Sequence, residues 1–140
     1  MTEMHVTLED IRIAARTVWA EARGEGFDGM VAVAWALKNR WLSTKGQFAK
    51  DNTLATACLR HRQFSAWNAE DANFEVMQRV GDDDPWFRLC VSAVNEALNG
   101  HTDPIKGSCH YHAESITPEW ACGHISVTQV GHHLFYNDVL

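Results

Sequence analysis

The sequence predicts an α+β fold that is mainly helical, with a small antiparallel β-sheet in the C-terminal third. Three observations lead to this prediction. The first hundred residues carry apolar side chains at helical spacing, between recognisable helix starts and the glycines that end them. The last third contains short runs of β-branched and aromatic residues instead. A chain of 140 residues is long enough for one domain, spanning residues 1–140, with a single buried core.

Two long helices are predicted near the N-terminus. Thr7 is a good helix cap, and acidic residues follow it in the first turn. Apolar residues then recur at helical spacing up to Gly24, which is typical of a helix end. These residues are Ile11, Ala14, Ala15, Val18 and Ala22. The second helix is predicted to open at Asp28 or Gly29 and to run to Arg40, and its apolar character on nearly all sides indicates the central buried helix.

The remaining elements are shorter. Residues 43–51 form a polar loop in this interpretation, residues 54–59 a short helix, and residues 68–81 a weakly amphipathic helix. Asp84 followed by Pro85 marks a helix start, and Gly100 marks the end of that helix. Its inward stripe is Phe87, Val91, Val94 and Leu98. Strands are predicted within residues 109–112, 125–128 and 131–136.

Composition excludes several classes of function. The longest apolar run, Met30 to Leu37, is far shorter than the roughly 20 residues of a membrane span. The formal charge is −6 without a basic cluster, which argues against nucleic acid as a partner. Residues 1–5 carry no pattern of a secretory signal, so synthesis in the cytoplasm without a signal peptide is expected. The four cysteines form no C-x-x-C pair, which argues against a structural zinc knuckle. Without a secretory signal free thiols are expected, with a Cys109–Cys122 bridge left open.

Glu21 and Glu25 are the first candidates for chemistry. Glu21 is expected in the last turn of the first helix, at the border of the apolar stripe. The helix dipole and partial burial would both raise its pKa, as a proton donor working near neutral pH requires. In the structural alternative, Glu25 is solvated and Glu21 pairs with an arginine such as Arg16 or Arg23.

Several ordered motifs together are more specific than the two glutamates. They are AEARGE at 20–25, GMVAVA at 29–34, NR at 39–40, QFSAW at 63–67, DP at 103–104, GSCHYH at 107–112, PEWA at 118–121 and GHHLFY at 131–136. In these motifs the chain resembles the cell wall hydrolase family that includes the catalytic domains of spore-cortex-lytic enzymes. The resemblance extends from about residue 15 to residue 136.

The resemblance implies a lysozyme-like fold and cleavage of peptidoglycan between N-acetylmuramic acid and N-acetylglucosamine, often by lytic transglycosylation. The catalytic glutamate of the family is the first in its AEARGE motif, which here is Glu21. Glu25 would face the same cleft, binding a sugar or raising the pKa of Glu21. The other candidates for substrate binding or for the cleft wall are Gln63, Ser65, Trp67, Tyr111, His112, His133 and Phe135.

The histidines offer a rival interpretation, a zinc-dependent amidase or peptidase acting on the same wall. Its ligands would come from His110, His112, His132 and His133, with Glu114 or His124. However, the sequence has no H-E-x-x-H motif, and H-x-H arises easily in a histidine-rich chain. The sequence therefore favours an enzyme without metal or organic cofactor, in which His112 and His133 hydrogen-bond within the sheet or to the glycan.

A third interpretation is a wall-binding module without activity, although such a module has no need of a carboxylic acid in its groove. The expected partners are peptidoglycan glycan strands, with neither nucleic acid nor membrane insertion, and a monomer is expected. The missing signal suits a phage or phage-like endolysin, delivered to the cell wall by a separate pore or particle.

Overall fold

The computed structural model describes residues 6–43, 53–59 and 74–139, and it has the predicted α+β architecture, with helices first and a three-stranded antiparallel sheet last. The helices are α1 (Leu8–Ala22), α2 (Gly26–Leu42), α3 (Leu54–Leu59), α4 (Phe74–Arg79) and α5 (Pro85–Asn99). The strands are β1 (His110–Ala113), β2 (Thr128–Val130) and β3 (His133–Tyr136), with a 3-10 turn at Glu119–Ala121 between β1 and β2.

The start of α1 is fixed by the predicted cap. Thr7 Oγ1 accepts a hydrogen bond from the backbone N–H of Asp10, and the Asp10 carboxylate accepts one from the N–H of Thr7, both at 3.0 Å. This reciprocal capping box satisfies two backbone donors that a helix start leaves unpaired. The second oxygen of the buried Asp10 carboxylate accepts from the N–H of Ala55 at 3.1 Å, so the same residue ties α1 to α3.

Helix α2 is the central buried helix, as predicted. It packs against α1, α3 and α5, and its side chains from Met30 to Lys38 are all buried. The predicted start at Asp28 or Gly29 was two or three residues late, because α2 begins at Gly26. Only three residues separate α1 from α2, and Gly26 makes this tight connection possible with a φ of 79°, a conformation that glycine adopts readily.

Helix α5 follows the predicted pattern. The Asp84 carboxylate accepts hydrogen bonds from the N–H groups of Trp86 and Phe87 at 2.8 and 3.1 Å, and Pro85 occupies the first helical position. Phe87, Val94 and Leu98 of the predicted stripe are buried, and Val91 is half-buried against the same core. Gly100 follows the helix end.

The sheet has the order β1-β3-β2, with Tyr111 opposite Phe135 and Val130 opposite His133. The second predicted strand was placed too early. Ile125 is 86% exposed, and pairing with β3 begins only at Val127, whose N–H donates to the Phe135 carbonyl at 2.8 Å. β3 begins later than predicted, because residues 131 and 132 form its turn with β2.

Other predictions fall partly outside the described residues. These include most of the loop at 43–51 and the first part of the helix predicted at 68–81, whose described part contains α4. All four cysteines are free thiols, so Cys109 and Cys122 are not bridged. Within residues 6–43, 53–59 and 74–139, the helices are too short or too polar for a membrane span.

Candidate active site

Glu21 lies in the last turn of α1, half-buried, as the sequence predicted. The Tyr111 hydroxyl donates a hydrogen bond to Glu21 Oε1 at 2.8 Å. Tyr111 belongs to β1, 90 residues later in the chain, so this bond joins the end of the first helix to the sheet. Two of the predicted site residues are therefore in direct contact, and the contact involves the carboxyl group expected to do the chemistry.

Arg40, in the last turn of α2, provides a buried positive charge beside this pair. Arg40 is only 4% exposed. Its Nε donates to the Cys109 carbonyl at 2.6 Å, and its Cζ lies 5.9 Å from the centre of the Tyr111 ring. Burial lowers the pKa of Arg40, and the nearby Tyr111, Cys109 and Glu21 oppose that change. An arginine side chain keeps its charge even so, because its ordinary pKa is very high.

The Tyr111 hydroxyl is held in its protonated form. Burial raises the pKa of Tyr111 well above its ordinary value, and the negative charge of Glu21 and the hydrogen bond to it act in the same direction. Arg40 acts in the opposite direction and does not reverse the change. Tyr111 is therefore a neutral hydrogen-bond donor to Glu21.

His133 and Phe135 lie on the same face of the sheet as Tyr111. Side chains alternate across a strand, and Phe135 is the direct partner of Tyr111 across the β1–β3 ladder. The Tyr111 ring packs edge-on against His133, with centres 5.1 Å apart, and tilted against Phe135, with centres 5.5 Å apart. Both residues were predicted for the site, and both contact Tyr111.

His133 has an unusual environment. It is 7% exposed, and its Nδ1 has no hydrogen-bond partner among the described residues. Burial lowers the pKa of His133, and the neighbouring charge of Glu25 opposes that change. The imidazole is therefore held neutral, packed against the ring that contacts Glu21.

His112 lies on the opposite face of the sheet, away from Tyr111. Its Nδ1 donates to the Ala113 carbonyl at 2.7 Å, and its Nε2 accepts from the Tyr136 hydroxyl at 2.8 Å. Trp120 of the 3-10 turn packs against the same imidazole, with ring centres 5.6 Å apart. Both ring nitrogens are thus bonded within the domain, and a part for His112 in substrate binding stays a prediction.

Glu25 is attached to the turn between β2 and β3. Its Oε2 accepts a hydrogen bond from the His132 N–H at 3.1 Å. Two glycines leave room for the side chain: a Cβ on Gly131 would lie 2.6 Å from that oxygen, and a Cβ on Gly29 would lie 2.5 Å from the Glu25 Cβ. Glu25 thus joins the α1–α2 connection to the sheet, and its predicted contact with substrate is untested.

The rival zinc ligands do not converge in the structure. His110 and His112 face one side of the sheet and His133 faces the other, while His132 lies in the turn before β3. His132 Nδ1 contacts Glu114 Oε1 at 2.7 Å. Within the described parts of the chain, no three His, Cys, Asp or Glu side chains are grouped as metal ligands.

Gln63, Ser65 and Trp67 lie outside the described residues, so their predicted place along the saccharide groove stays a prediction.

Sequence reasoning did not identify Arg40 as a site residue. The arginines considered as partners of Glu21 bond elsewhere: Arg16 Nε donates to the Val80 carbonyl at 3.4 Å, and Arg23 donates to the Trp19 carbonyl at 3.1 Å. One signal in the sequence pointed to Arg40: it lies near the end of a predicted helix that is apolar on nearly all sides. A charge buried in such a helix must have partners.

Asn39, next to Arg40, anchors the segment that leads into β1. Its Nδ2 donates to the Asp103 carboxylate at 2.9 Å and to the Ser108 carbonyl at 3.0 Å. The Asp103 carboxylate also accepts from the N–H groups of Ile105 and Gly107 at 2.8 and 2.7 Å. These bonds hold the turn before β1 against α2 and so determine where Tyr111 enters the site.

The sequence model of a family described as Cell Wall Hydrolase matches residues 24–136. The chain belongs to the cell wall hydrolase family. The matched range contains Glu25, Tyr111, His133 and Phe135, and it begins three residues after Glu21.

Relatives of this cell wall hydrolase include spore cortex-lytic enzymes. That of Bacillus subtilis (strain 168) is 26% identical over 126 residues, covering 90% of this chain and 37% of the relative. That of Oceanobacillus iheyensis is 29% identical over 130 residues, covering 90% and 41%, and that of Halalkalibacterium halodurans is 30% identical over 129 residues, covering 91% and 34%. The chain thus spans about two-fifths of the length of these relatives, or less.

Two solved structures resemble the whole domain. The catalytic domain of the Bacillus cereus SleB protein has a TM-score of 0.76 at 25% identity, covering 96% of this chain and 94% of that domain. The catalytic domain of the germination-specific lytic transglycosylase SleB from Bacillus anthracis has a TM-score of 0.75 at 25% identity, covering 96% and 99%. This similarity confirms the predicted lysozyme-like fold.

Proposed function

We propose that this cell wall hydrolase cleaves peptidoglycan glycan strands between N-acetylmuramic acid and N-acetylglucosamine as a lytic transglycosylase, with Glu21 as general acid and base. Membership of the family and similarity to a domain described as a lytic transglycosylase support the reaction class. The observation that carries the assignment of Glu21 is its position: a half-buried carboxyl group at a helix end, held by the Tyr111 hydroxyl at 2.8 Å.

The reaction needs only one carboxyl group. Protonated Glu21 gives its proton to the glycosidic oxygen as the bond between that oxygen and C1 of the muramic acid breaks. The C6 hydroxyl of the same muramic acid then attacks C1, and its proton passes to the Glu21 carboxylate. The products are a 1,6-anhydromuramic acid end and a free N-acetylglucosamine hydroxyl, so no water is consumed and the enzyme returns to its starting state.

Tyr111 assists both halves of this cycle. Its hydroxyl donates to Glu21 Oε1, so in the acid form the proton of the carboxyl group is carried by the other oxygen, Oε2. In the base form the same hydrogen bond stabilises the carboxylate, because bonds to ionised acceptors are the stronger ones. Tyr111 thus orients Glu21 without exchanging a proton.

The substrate contacts remain proposals. We assign the cleft wall to Tyr111, His133 and Phe135, the cluster next to Glu21, and keep Gln63, Ser65, Trp67 and His112 as candidates to bind the glycan. Glu25 is a second carboxylate one turn beyond Glu21 in sequence. In a hydrolytic variant of the reaction a second carboxylate activates water or attacks the sugar, which would give Glu25 a direct part.

The test is the chemical nature of the products. Purified sacculi are digested with the wild-type protein, with Glu21→Gln and with Glu9→Gln, each with and without EDTA, and the soluble products are identified by mass spectrometry. Glu9 is an exposed glutamate in the first turn of the same helix, so it is the matched control. We expect muropeptides lacking one water, insensitive to EDTA, with a loss of at least about 10²–10⁴-fold in Glu21→Gln and none in Glu9→Gln.

Other products would overturn the proposal in distinct ways. Reducing-end sugars would identify a hydrolase and make Glu25 the next residue to substitute. Free peptides that disappear with EDTA would favour zinc at the histidines. Tight binding to sacculi without soluble products would indicate a binding module.

A further inference from the structure

We propose that Arg40 is a positioning residue for this reaction: its buried guanidinium fixes Tyr111 and stabilises the carboxylate form of Glu21. The inference rests on the acid–base role proposed for Glu21, and it adds a residue that sits at the far end of α2 in sequence. It explains why a full positive charge occupies a largely apolar helix in the centre of the domain.

Three contacts carry this proposal. Arg40 Nε holds the Cys109 carbonyl at 2.6 Å, two residues before Tyr111, so it fixes the backbone from which that side chain projects. The guanidinium lies 5.9 Å from the Tyr111 ring centre, and the hydroxyl of that ring reaches Glu21 Oε1 at 2.8 Å. The Arg40 guanidinium, the ring and hydroxyl of Tyr111 and the Glu21 carboxylate therefore form a continuous series of contacts.

The chemistry of the cycle gives this arrangement a purpose. A single group that is acid in one step and base in the next must pass between its protonated and ionised forms in every turnover. Partial burial and the negative end of the α1 dipole both favour the protonated form of Glu21. The fixed charge of Arg40, acting across a medium of low dielectric constant and through Tyr111, favours the ionised form.

The ionisable groups around Arg40, Tyr111 and Glu21 come from several elements. They are Arg40 of α2, Cys58 of α3, Cys109 just before β1, Tyr111 of β1, His133 of β3 and Glu25 before α2. Burial raises the pKa of Cys109 and of Tyr111 and lowers the pKa of His133, so these three groups are neutral near pH 7. Arg40 is the permanent cation in this set, since only its charge is independent of the working pH.

The decisive measurement needs no substrate. The carboxyl ¹³C signal of Glu21, assigned by its absence in Glu21→Gln, is titrated by NMR in the wild type, Arg40→Gln, Arg40→Lys and Arg79→Met. Arg40→Gln keeps a donor for the Cys109 carbonyl without the charge, and Arg40→Lys keeps the charge without the planar guanidinium. Arg79 is an exposed arginine on α4 and serves as the control for loss of a surface charge.

We expect the titration midpoint of Glu21 to move upward by about one pH unit in Arg40→Gln, a tenfold change in proton affinity, and to stay in place in Arg40→Lys and Arg79→Met. The limb of the pH profile for muropeptide release that reflects the ionisation of Glu21 is expected to move by the same amount. Arg40→Lys should lower kcat about fivefold or more with KM unchanged, because the contact with the Cys109 carbonyl is lost.

A structural role alone would give a different result. If Arg40→Gln folds and loses activity while the Glu21 midpoint stays in place, the proposal is wrong. If Arg40→Gln does not fold, Arg40→Lys decides, and a kcat equal to that of the wild type would exclude the positioning role. Failure of the proposed function is separate from both results, since it appears as activity retained by Glu21→Gln.

Discussion

Removing the Tyr111 hydroxyl tests the candidate site with the loss of a single oxygen atom. Tyr111→Phe deletes the 2.8 Å hydrogen bond to Glu21 and keeps the ring packed against His133 and Phe135. A hydrogen bond to a charged group contributes about 1.5–3 kcal/mol, so we expect kcat to fall by about 10- to 100-fold while some activity remains. The measurement is the rate of muropeptide release.

The matched control is Tyr136→Phe. It removes the hydroxyl bonded to His112 Nε2 on the opposite face of the sheet. We expect it to lower stability by about 1 kcal/mol in urea denaturation and to leave the rate of muropeptide release unchanged. Equal effects of the two substitutions on the rate would contradict the special position of Tyr111.

At the same scale, sequence reasoning found residues whose chemistry is visible locally. Glu21 could be proposed because it follows an apolar stripe and precedes a glycine, and Tyr111 because it lies in a motif of the family. Their hydrogen bond was not predictable, since it joins residues 90 positions apart. Arg40, which we propose as a positioning residue, was not predicted because periodicity reveals neither its burial nor its contact with a ring contributed by β1.

Among the secondary-structure elements, the turn between β2 and β3 offers the sharpest test. Gly131 has a φ of 58°, and an added Cβ would lie 2.6 Å from Glu25 Oε2. We expect Gly131→Ala to lower the free energy of unfolding by about 1–2 kcal/mol, because a side chain is disfavoured in this conformation and Glu25 must move. Urea denaturation measures this change.

Gly24→Ala is the control for this substitution. Gly24 has open space around its Cβ position and lacks a positive φ, so we expect Gly24→Ala to leave the free energy of unfolding nearly unchanged. An equal effect of both substitutions would mean that the contact between Glu25 and the turn does not constrain the fold.

Element boundaries were predictable where a side chain determines them. Thr7 and Asp84 form the expected caps because a side-chain oxygen satisfies unpaired backbone donors within three residues. The start of α2 was missed because Gly26 can end one helix as well as open the next, and only packing decides which. The strand expected at 125–128 begins late because strand propensity does not determine where a partner strand is reached.

At the scale of the whole molecule, the two faces of the sheet carry different clusters of side chains. One face presents Tyr111, His133 and Phe135 to the site, and the other carries an aromatic cluster of His110, His112, Trp120 and Tyr136. The core of α1, α2 and α5 supports Glu21 and Arg40 from the helical side. The second cluster lies on the face of the sheet away from Glu21, so its members other than His112, a candidate to bind the glycan, can be altered to examine stability.

We expect His110, in that cluster, to make the stability of the domain depend on pH. Burial lowers the pKa of His110 to about 4, from an ordinary value of 6.5, and the residue is 6% exposed. Above pH 6.5 the imidazole is neutral in both states, so the native state is not penalised. As the pH falls from 6.5 to 4, the unfolded chain binds a proton that the folded chain excludes, and the free energy of unfolding falls by about 3 kcal/mol. Below pH 4 both states bind the proton and this contribution no longer changes.

The variant His110→Leu isolates this effect. Urea denaturation at pH 7, 5.5 and 4.5 gives the free energy of unfolding of both proteins, and the difference between them reports His110 because the other groups are shared. We expect the free energy of unfolding of the wild type to fall, relative to that of the variant, by about 1.4 kcal/mol per pH unit below 6.5. His101→Leu, which removes an exposed imidazole, is the matched control. A difference between wild type and His110→Leu that stays constant with pH would mean that His110 binds its proton as readily in the folded protein as in the unfolded chain.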